Sequence, residues 1–89
     1  MKVENMTSRN GNTVPNQFVI RDEKGTYFQS YRTMIVFVPL SGKVQLDARA
    51  WDCSRTTGKY RNIFLRETKA ETVKKINSGE YELVDLNGR

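Results

Sequence analysis

Thr33-Met34-Ile35-Val36-Phe37-Val38-Pro39 is the stretch around which the fold assembles. Met34 to Val38 is apolar without a break, the pattern of a central strand covered on both faces. Pro39 ends it, because a proline ring removes a ladder donor. On the N-terminal side, Gln17–Arg21 and Thr26–Ser30 are rich in Phe, Val, Ile and Tyr and flank Asp22-Glu23-Lys24-Gly25. The glycine can take the positive φ such a loop needs, so these runs read as a hairpin. On the C-terminal side, Ser41-Gly42 turns the chain and Lys43–Asp47 alternates, with Val44 and Leu46 directed inward. Residues 17–47 are therefore expected to form an antiparallel strand meander.

Residues 1–16 read as a polar arm or an edge strand. Lys2–Met6 is strand-like, Ser8-Arg9-Asn10-Gly11-Asn12 turns at Asn-Gly, and Pro15 biases Val14 toward extended geometry. Beyond Asp47 the period changes. Thr56 or Thr57 is placed to cap a helix running to about Leu65, with Tyr60, Ile63 and Phe64 on one face. Thr68 and Glu71 make a capping box for a second helix with an Ala70, Val73, Ile76 stripe. Gly79 stands where that helix should close, after Lys74 and Lys75 at its negative dipole end. The helical region is thus 55–78, and residues 80–86 alternate again as a final strand at the sheet edge. The fold class expected for 1–89 is a single α+β domain, an antiparallel sheet of three to five strands packed against two short helices.

The function classes left open are few. With 89 residues, 37% hydrophobic and 28% charged, the chain reads as a small folded domain rather than a disordered tail. One cysteine, Cys53, allows no internal disulfide, and no run approaches the ~20 apolar residues of a membrane span. The opening residues carry no signal-like hydrophobic stretch, so a cytoplasmic protein is expected, in the host cell cytoplasm if phage-encoded. A domain this small can finish its core against its own copy, which leaves a homodimer open.

Chemistry is sparsely provided for. Histidine is absent, which removes the commonest general base and the usual partner of Ser and Cys nucleophiles. Cys53 reads as structural or inert, since cysteine is among the most often buried residues. Asp47 and Asp52, the nearest approach to paired carboxylates in the basic half, are explained as strand-end and turn residues. Thr57-Gly58-Lys59 lacks the spacer and first glycine of a phosphate loop. Thr56, Thr57 and Gly58 at a helix start, beside Lys59 and Arg61, suit either an anion contact or plain capping. No enzyme, cofactor or metal is expected.

Charge is the informative feature. Arg49, Arg55, Lys59, Arg61 and Arg66 fall within residues 49–66 against the single acid Asp52 and account for most of the formal +5. Trp51, Tyr60 and Phe64 are threaded through them. On a helix, Arg55, Lys59 and Arg66 line the side opposite the Tyr60, Ile63, Phe64 stripe, with Arg61 near the boundary. Such a face grips an acidic protein surface or a nucleic acid backbone; as a plain alternative it is simply the wet face of a helix. Tyr27 and Tyr31 share strand parity opposite Phe28 and are candidates for a binding or base-stacking patch. Trp51 is expected in the core.

Met6-Thr7-Ser8-Arg9-Asn10-Gly11-Asn12 with Val14 and Asn16-Gln17-Phe18, then Tyr27-Phe28-Gln29-Ser30-Tyr31, open a longer likeness. It continues through Trp51-Asp52, Ser54, Thr56-Thr57-Gly58-Lys59-Tyr60-Arg61 and Phe64-Leu65 to Glu67-Thr68-Lys69. Over nearly its whole length the chain resembles small uncharacterised proteins of bacteriophages and prophages. It departs from them at Cys53, where an aromatic is expected, and at Pro15, where a small residue is. That group has no assigned activity, so the resemblance transfers no residue roles. It implies a phage accessory protein, a class that includes compact inhibitors of bacterial defence systems such as CRISPR–Cas. The expected function is therefore non-enzymatic binding and inhibition of a host nucleic-acid-handling complex; the alternative is direct, weakly sequence-specific DNA or RNA binding.

Overall fold

The computed structural model describes residues 1–88. In chain order the elements are β1 (Lys2–Thr7), β2 (Thr13–Asp22), β3 (Gly25–Ser30), β4 (Thr33–Pro39), β5 (Val44–Asp47), α1 (Arg55–Leu65), α2 (Lys69–Asn77) and β6 (Tyr81–Val84). The fold is α+β, as expected, but the sheet has six strands in the order β1-β2-β3-β4-β5-β6, and it is mixed. β1 to β5 pair antiparallel, whereas β6 pairs parallel to β5, with Leu46 opposite Leu83. A parallel neighbour needs a crossover, and the two helices supply it.

Local chemistry explains most boundaries. Asp22 accepts from the backbone N–H of Lys24 and of Gly25 at 2.8 and 3.2 Å, closing the β2–β3 turn. Gly25 is obligatory for a second reason: a Cβ there would stand 2.2 Å from the Val38 carbonyl oxygen. Of the two readings of residues 1–16, the edge strand is the one realised, as β1 lies at the sheet edge, and β2 begins within the segment at Thr13 and runs through Pro15. It accommodates the proline by a bulge opposite Met6, with Asn16 at φ 66°. Tyr31 is not a strand residue. With φ 57° it forms, with Arg32, the two-residue turn between Ser30 and Thr33. Alternation past Ser30 therefore places Tyr31 wrongly.

α1 is capped by Ser54, whose hydroxyl accepts from the Thr57 N–H at 3.1 Å, and not by Thr56 or Thr57. Thr57 is unavailable as a cap because its side chain turns inward, 3.1 Å from the Ser30 hydroxyl on β3. α2 has the expected Thr68–Glu71 capping box and the expected Gly79 at φ 82° beyond its end. Its stripe differs: Ala70 is exposed, and Thr72 takes the fully buried position beside Ile76.

The core lies between one face of the sheet and the helices. Met6, Phe28, Ile35, Val36, Leu46, Ala50 and Tyr81 are buried, and Val19, Trp51, Tyr60, Phe64 and Ile76 are among the residues packed on them. Phe28 stacks on Phe64 at 5.6 Å between ring centroids, which fixes the helix-bearing face. Trp51 is at the core as expected. The double cover expected for β4 is not realised. Tyr27 and Phe37 pair directly on the other face, stacked at 4.5 Å, and neither belongs to the core.

Glu67, between the helices, ties them to β6. Its side chain is 3% exposed and accepts from Lys75 Nζ at 2.7 Å, the Tyr81 hydroxyl at 2.9 Å and the Thr72 hydroxyl at 2.5 Å. Burial pushes its carboxyl up, but the bonds from Lys75, Thr72 and Tyr81 outweigh that and hold it below the usual carboxylate range. The stability this adds is present above the unfolded pKa, near 4.5, and is lost as pH falls through the lower folded value. Glu67→Gln is expected to cost about 2 kcal/mol at neutral pH and to flatten the acid limb of a Tm-against-pH profile.

Gln17 is 1% exposed, and its amide nitrogen and oxygen find no hydrogen-bond partner among the described residues. An unmade buried hydrogen bond costs about 1–3 kcal/mol. Gln17→Leu should therefore leave urea stability unchanged or raise it by about 1 kcal/mol. A loss of that size would show that the amide is satisfied in solution.

Candidate functional site

Strand polarity gathers cations at one end of the sheet. β1, β3, β5 and β6 end there and β2 and β4 begin there, so the 8–12 loop, the 31–32 turn and the 48–54 connection are neighbours. Arg9, Arg32, Arg49 and Arg55 all lie in or next to these segments. The 8–12 loop is held closed by the Ser8 N–H donating to the Asn12 carbonyl at 2.8 Å and the Gly11 N–H to the Ser8 carbonyl at 2.9 Å.

From that end a basic band runs along the outer side of α1. An open groove of about 470 Å³ is lined by Asp52, Ser54, Arg55, Gly58, Lys59, Asn62 and Lys69. Lys59 also borders a second depression of about 190 Å³, formed with Thr7, Ser8, Arg9, Tyr60 and Ile63. Lys69, Arg55, Lys59 and Arg9 thus follow one another around the helix, and Asp52 is the only carboxylate in either lining. Asp52 is already engaged, with Lys69 Nζ at 2.6 Å and Arg61 Nη1 at 3.1 Å. The Lys69 hydrogen bond, opposed by burial and aided by Arg61, holds its carboxyl below the usual carboxylate range.

The structure disperses part of the expected set. Arg61 is 1% exposed and belongs to the interior. Its Nη1 donates to the Trp51 carbonyl at 2.7 Å, its Nη2 to Asn62 Oδ1 at 2.9 Å, and its guanidinium lies 5.1 Å from the Trp51 ring centroid. The inward face of α1 is consequently Thr57, Gly58, Arg61 and Phe64, with Tyr60 also packed on the core as expected, while Ile63, expected in the stripe, is 50% exposed. Arg55 and Lys59 are brought together as expected. Arg66, the left-handed C-cap, is exposed at the far end of α1, about 16 Å from Arg55 at 1.5 Å per residue. Arg49 is exposed beside a separate small depression lined also by Asp47, Val84 and Asp85. Tyr27 faces away from the helices, and Tyr31 is 55% exposed at a hairpin tip, so the two do not form a patch with the band.

Two members of the band were not among the sequence candidates. Lys69 follows the capping Thr68, and nothing local marks it; only the turn that brings Asp52 beside α2 does. Arg9 did carry a signal, the dense polar run from Thr7 to Asn12. Cys53, read from the sequence as structural or inert, is exposed, with Sγ 3.7 Å from the Thr57 hydroxyl. Asp47 is a structural carboxylate, buried and accepting from the N–H groups of Arg49, Ala50 and Leu86. Among the described residues no cluster of three or more His, Cys, Asp or Glu is placed to hold a metal, and no helix is long and apolar enough to cross a membrane.

A family model matches residues 1–80, a span containing five of the strands and both helices. The chain belongs to the family of unknown function DUF8033. No curated protein and no solved structure matches it. In this DUF8033 chain the functional reading therefore rests on the band itself.

The two kinds of arginine separate experimentally. Arg61→Gln leaves Asp52 and the Trp51 carbonyl without their buried donor and is expected to cost about 3 kcal/mol or more. Arg55→Gln and Lys59→Gln, at exposed positions, should stay within about 0.5 kcal/mol of the parent in urea unfolding.

Proposed function

We propose that this chain is a non-enzymatic binding protein whose basic band seats on an anionic surface of a nucleic-acid-handling complex. The supporting observation is the run Lys69, Arg55, Lys59, Arg9 around α1 with one carboxylate, itself neutralised from both sides. The groove offers Ser54 and Asn62 as further hydrogen-bonding groups, a lining suited to holding carboxylates or phosphates. The half-exposed Ile63 and the Tyr60 ring between Lys59 and Arg9 favour a protein face with an acidic rim over bare phosphate backbone. The resemblance to phage accessory proteins points to a host defence complex, CRISPR–Cas being one such class, met in the host cytoplasm.

A second reading is direct, weakly sequence-specific binding of DNA or RNA backbone. It is favoured by the length of the band and by Lys59 standing 5.4 Å from the Tyr60 ring centroid, where a base edge and a phosphate would be met together.

Capture from bacterial lysate with and without nuclease distinguishes them. A protein partner retained after nuclease supports the first reading. Binding abolished by nuclease, with log K falling steeply against log salt, supports the second. In either case Arg55→Gln/Lys59→Gln/Lys69→Gln should weaken binding by about tenfold or more while Tm is little changed. Undiminished affinity in a folded triple variant would refute the role of the band.

A further inference from the structure

The opposite face of the sheet carries a second surface that the basic band does not involve. Cross-strand register places Val3, Ile20, Tyr27, Phe37 and Gln45 in one row across five strands. Asn5, Phe18, Gln29 and Met34 form the row beside it. Phe28 and Ser30, of opposite parity, contact α1 through Phe64 and Thr57, so both rows point away from that helix. α2 lies on the same side as α1: Tyr81, which shares its face with Leu46, bonds Glu67 and Lys75. Phe18, Ile20, Tyr27, Met34 and Phe37 are only partly buried, Val3 is 53% exposed, and none of the six is packed on the core.

We propose that this face is a homodimer interface, two copies meeting sheet to sheet across a twofold axis. Charge selects the occupant. The two rows contain no charged side chain; the paired strands add, at the same parity, Asp22 and Glu82 at the margin and Asp47, which is buried in hydrogen bonds from backbone N–H groups. A phosphate backbone needs cations, and this face offers none. On a chain with net charge +5, a neutral face is where a second copy is met with least repulsion, the basic bands being turned outward. The row of stacked and aliphatic side chains is self-complementary under a twofold, as an isologous contact requires. The size is adequate. Five strands spaced about 4.8 Å and about 20 Å long give roughly 500 Å² in projection. Side-chain relief brings that toward the ~800 Å² per partner of a standard interface.

Sedimentation equilibrium of nuclease-treated protein from micromolar to millimolar concentration tests this. A reversible monomer–dimer equilibrium that added salt does not weaken is expected. Tyr27→Lys and Ile20→Lys should raise the dimer dissociation constant about tenfold or more, and Lys59→Gln should leave it unchanged. Val3→Glu, at a residue already exposed in the monomer, gives the same readout if the interior variants fail to fold. A monomer over the whole range overturns the proposal. So does a dimer indifferent to Val3→Glu and Tyr27→Lys, or one dissolved by salt. Specific shifts of Tyr27 and Phe37 resonances on adding a single-stranded oligonucleotide to a monomer would overturn it in favour of base stacking.

Discussion

Because β6 lies parallel to β5, the chain between Asp47 and Tyr81 must travel back along the sheet before it can pair, and both helices form on that return. One crossover makes one helical layer. The layer buries Phe28, Val36 and Leu46 from one side and leaves the opposite face of the same strands without a helix. The crossover needs an anchor where it rejoins the sheet. Glu67 is that anchor, holding α2 through Thr72 and Lys75 and β6 through Tyr81 with one buried carboxylate. Asp47 does the corresponding work at the departure point, fixing the turn into the crossover and the segment after β6.

A buried arginine is costly, and α1 keeps one on its inner face. Desolvating a guanidinium costs several kcal/mol, which is recovered only if its donors are satisfied with good geometry. Here Trp51 supplies a carbonyl and a ring face, Asp52 a carboxylate and Asn62 an amide oxygen to the two terminal nitrogens, while the buried Nε finds no hydrogen-bond partner among the described residues. The knot pulls the 48–54 connection against the helix and carries Lys69, through its own bond to Asp52, to the groove. The same carboxylate therefore orders the interior and positions an exposed cation.

Much of this architecture was legible in local sequence, and the exceptions share a cause. The hairpins around β3 and β4, the capping box of α2 and Gly79 depend on residues within a few positions of one another, and they appear where expected. Parallel pairing of β5 and β6 depends on contacts across more than thirty residues, and no local pattern encodes it. Arg61 looked like one more surface cation because Asp52, nine positions away, becomes its partner only when the turn closes. Ser54 outcompeted Thr57 as a cap because Thr57 was claimed by Ser30, 27 positions distant. Tyr31 failed as a strand residue because the chain spends it on a left-handed turn usually given to Gly or Asn. Of the basic residues expected to act together, Arg55 and Lys59 could be grouped from helical spacing alone. Lys69 and Arg9 joined them only through tertiary structure.

The single helical layer has a consequence for how the two surfaces relate. The basic band lies on the outside of α1, and the neutral rows lie on the far side of the sheet that α1 covers. Pairing two copies through the neutral rows leaves both bands free and turns them in opposite directions, so neither obstructs the other's partner. Such a particle is bivalent toward any anionic surface with repeated sites. Its hold then exceeds that of one band by the effective concentration the first contact confers, without a new contact being made. If the proposed pairing holds, a chain with so small a core and so few recognition residues would gain grip by duplication, a route the fold leaves open because its crossover covers one side only.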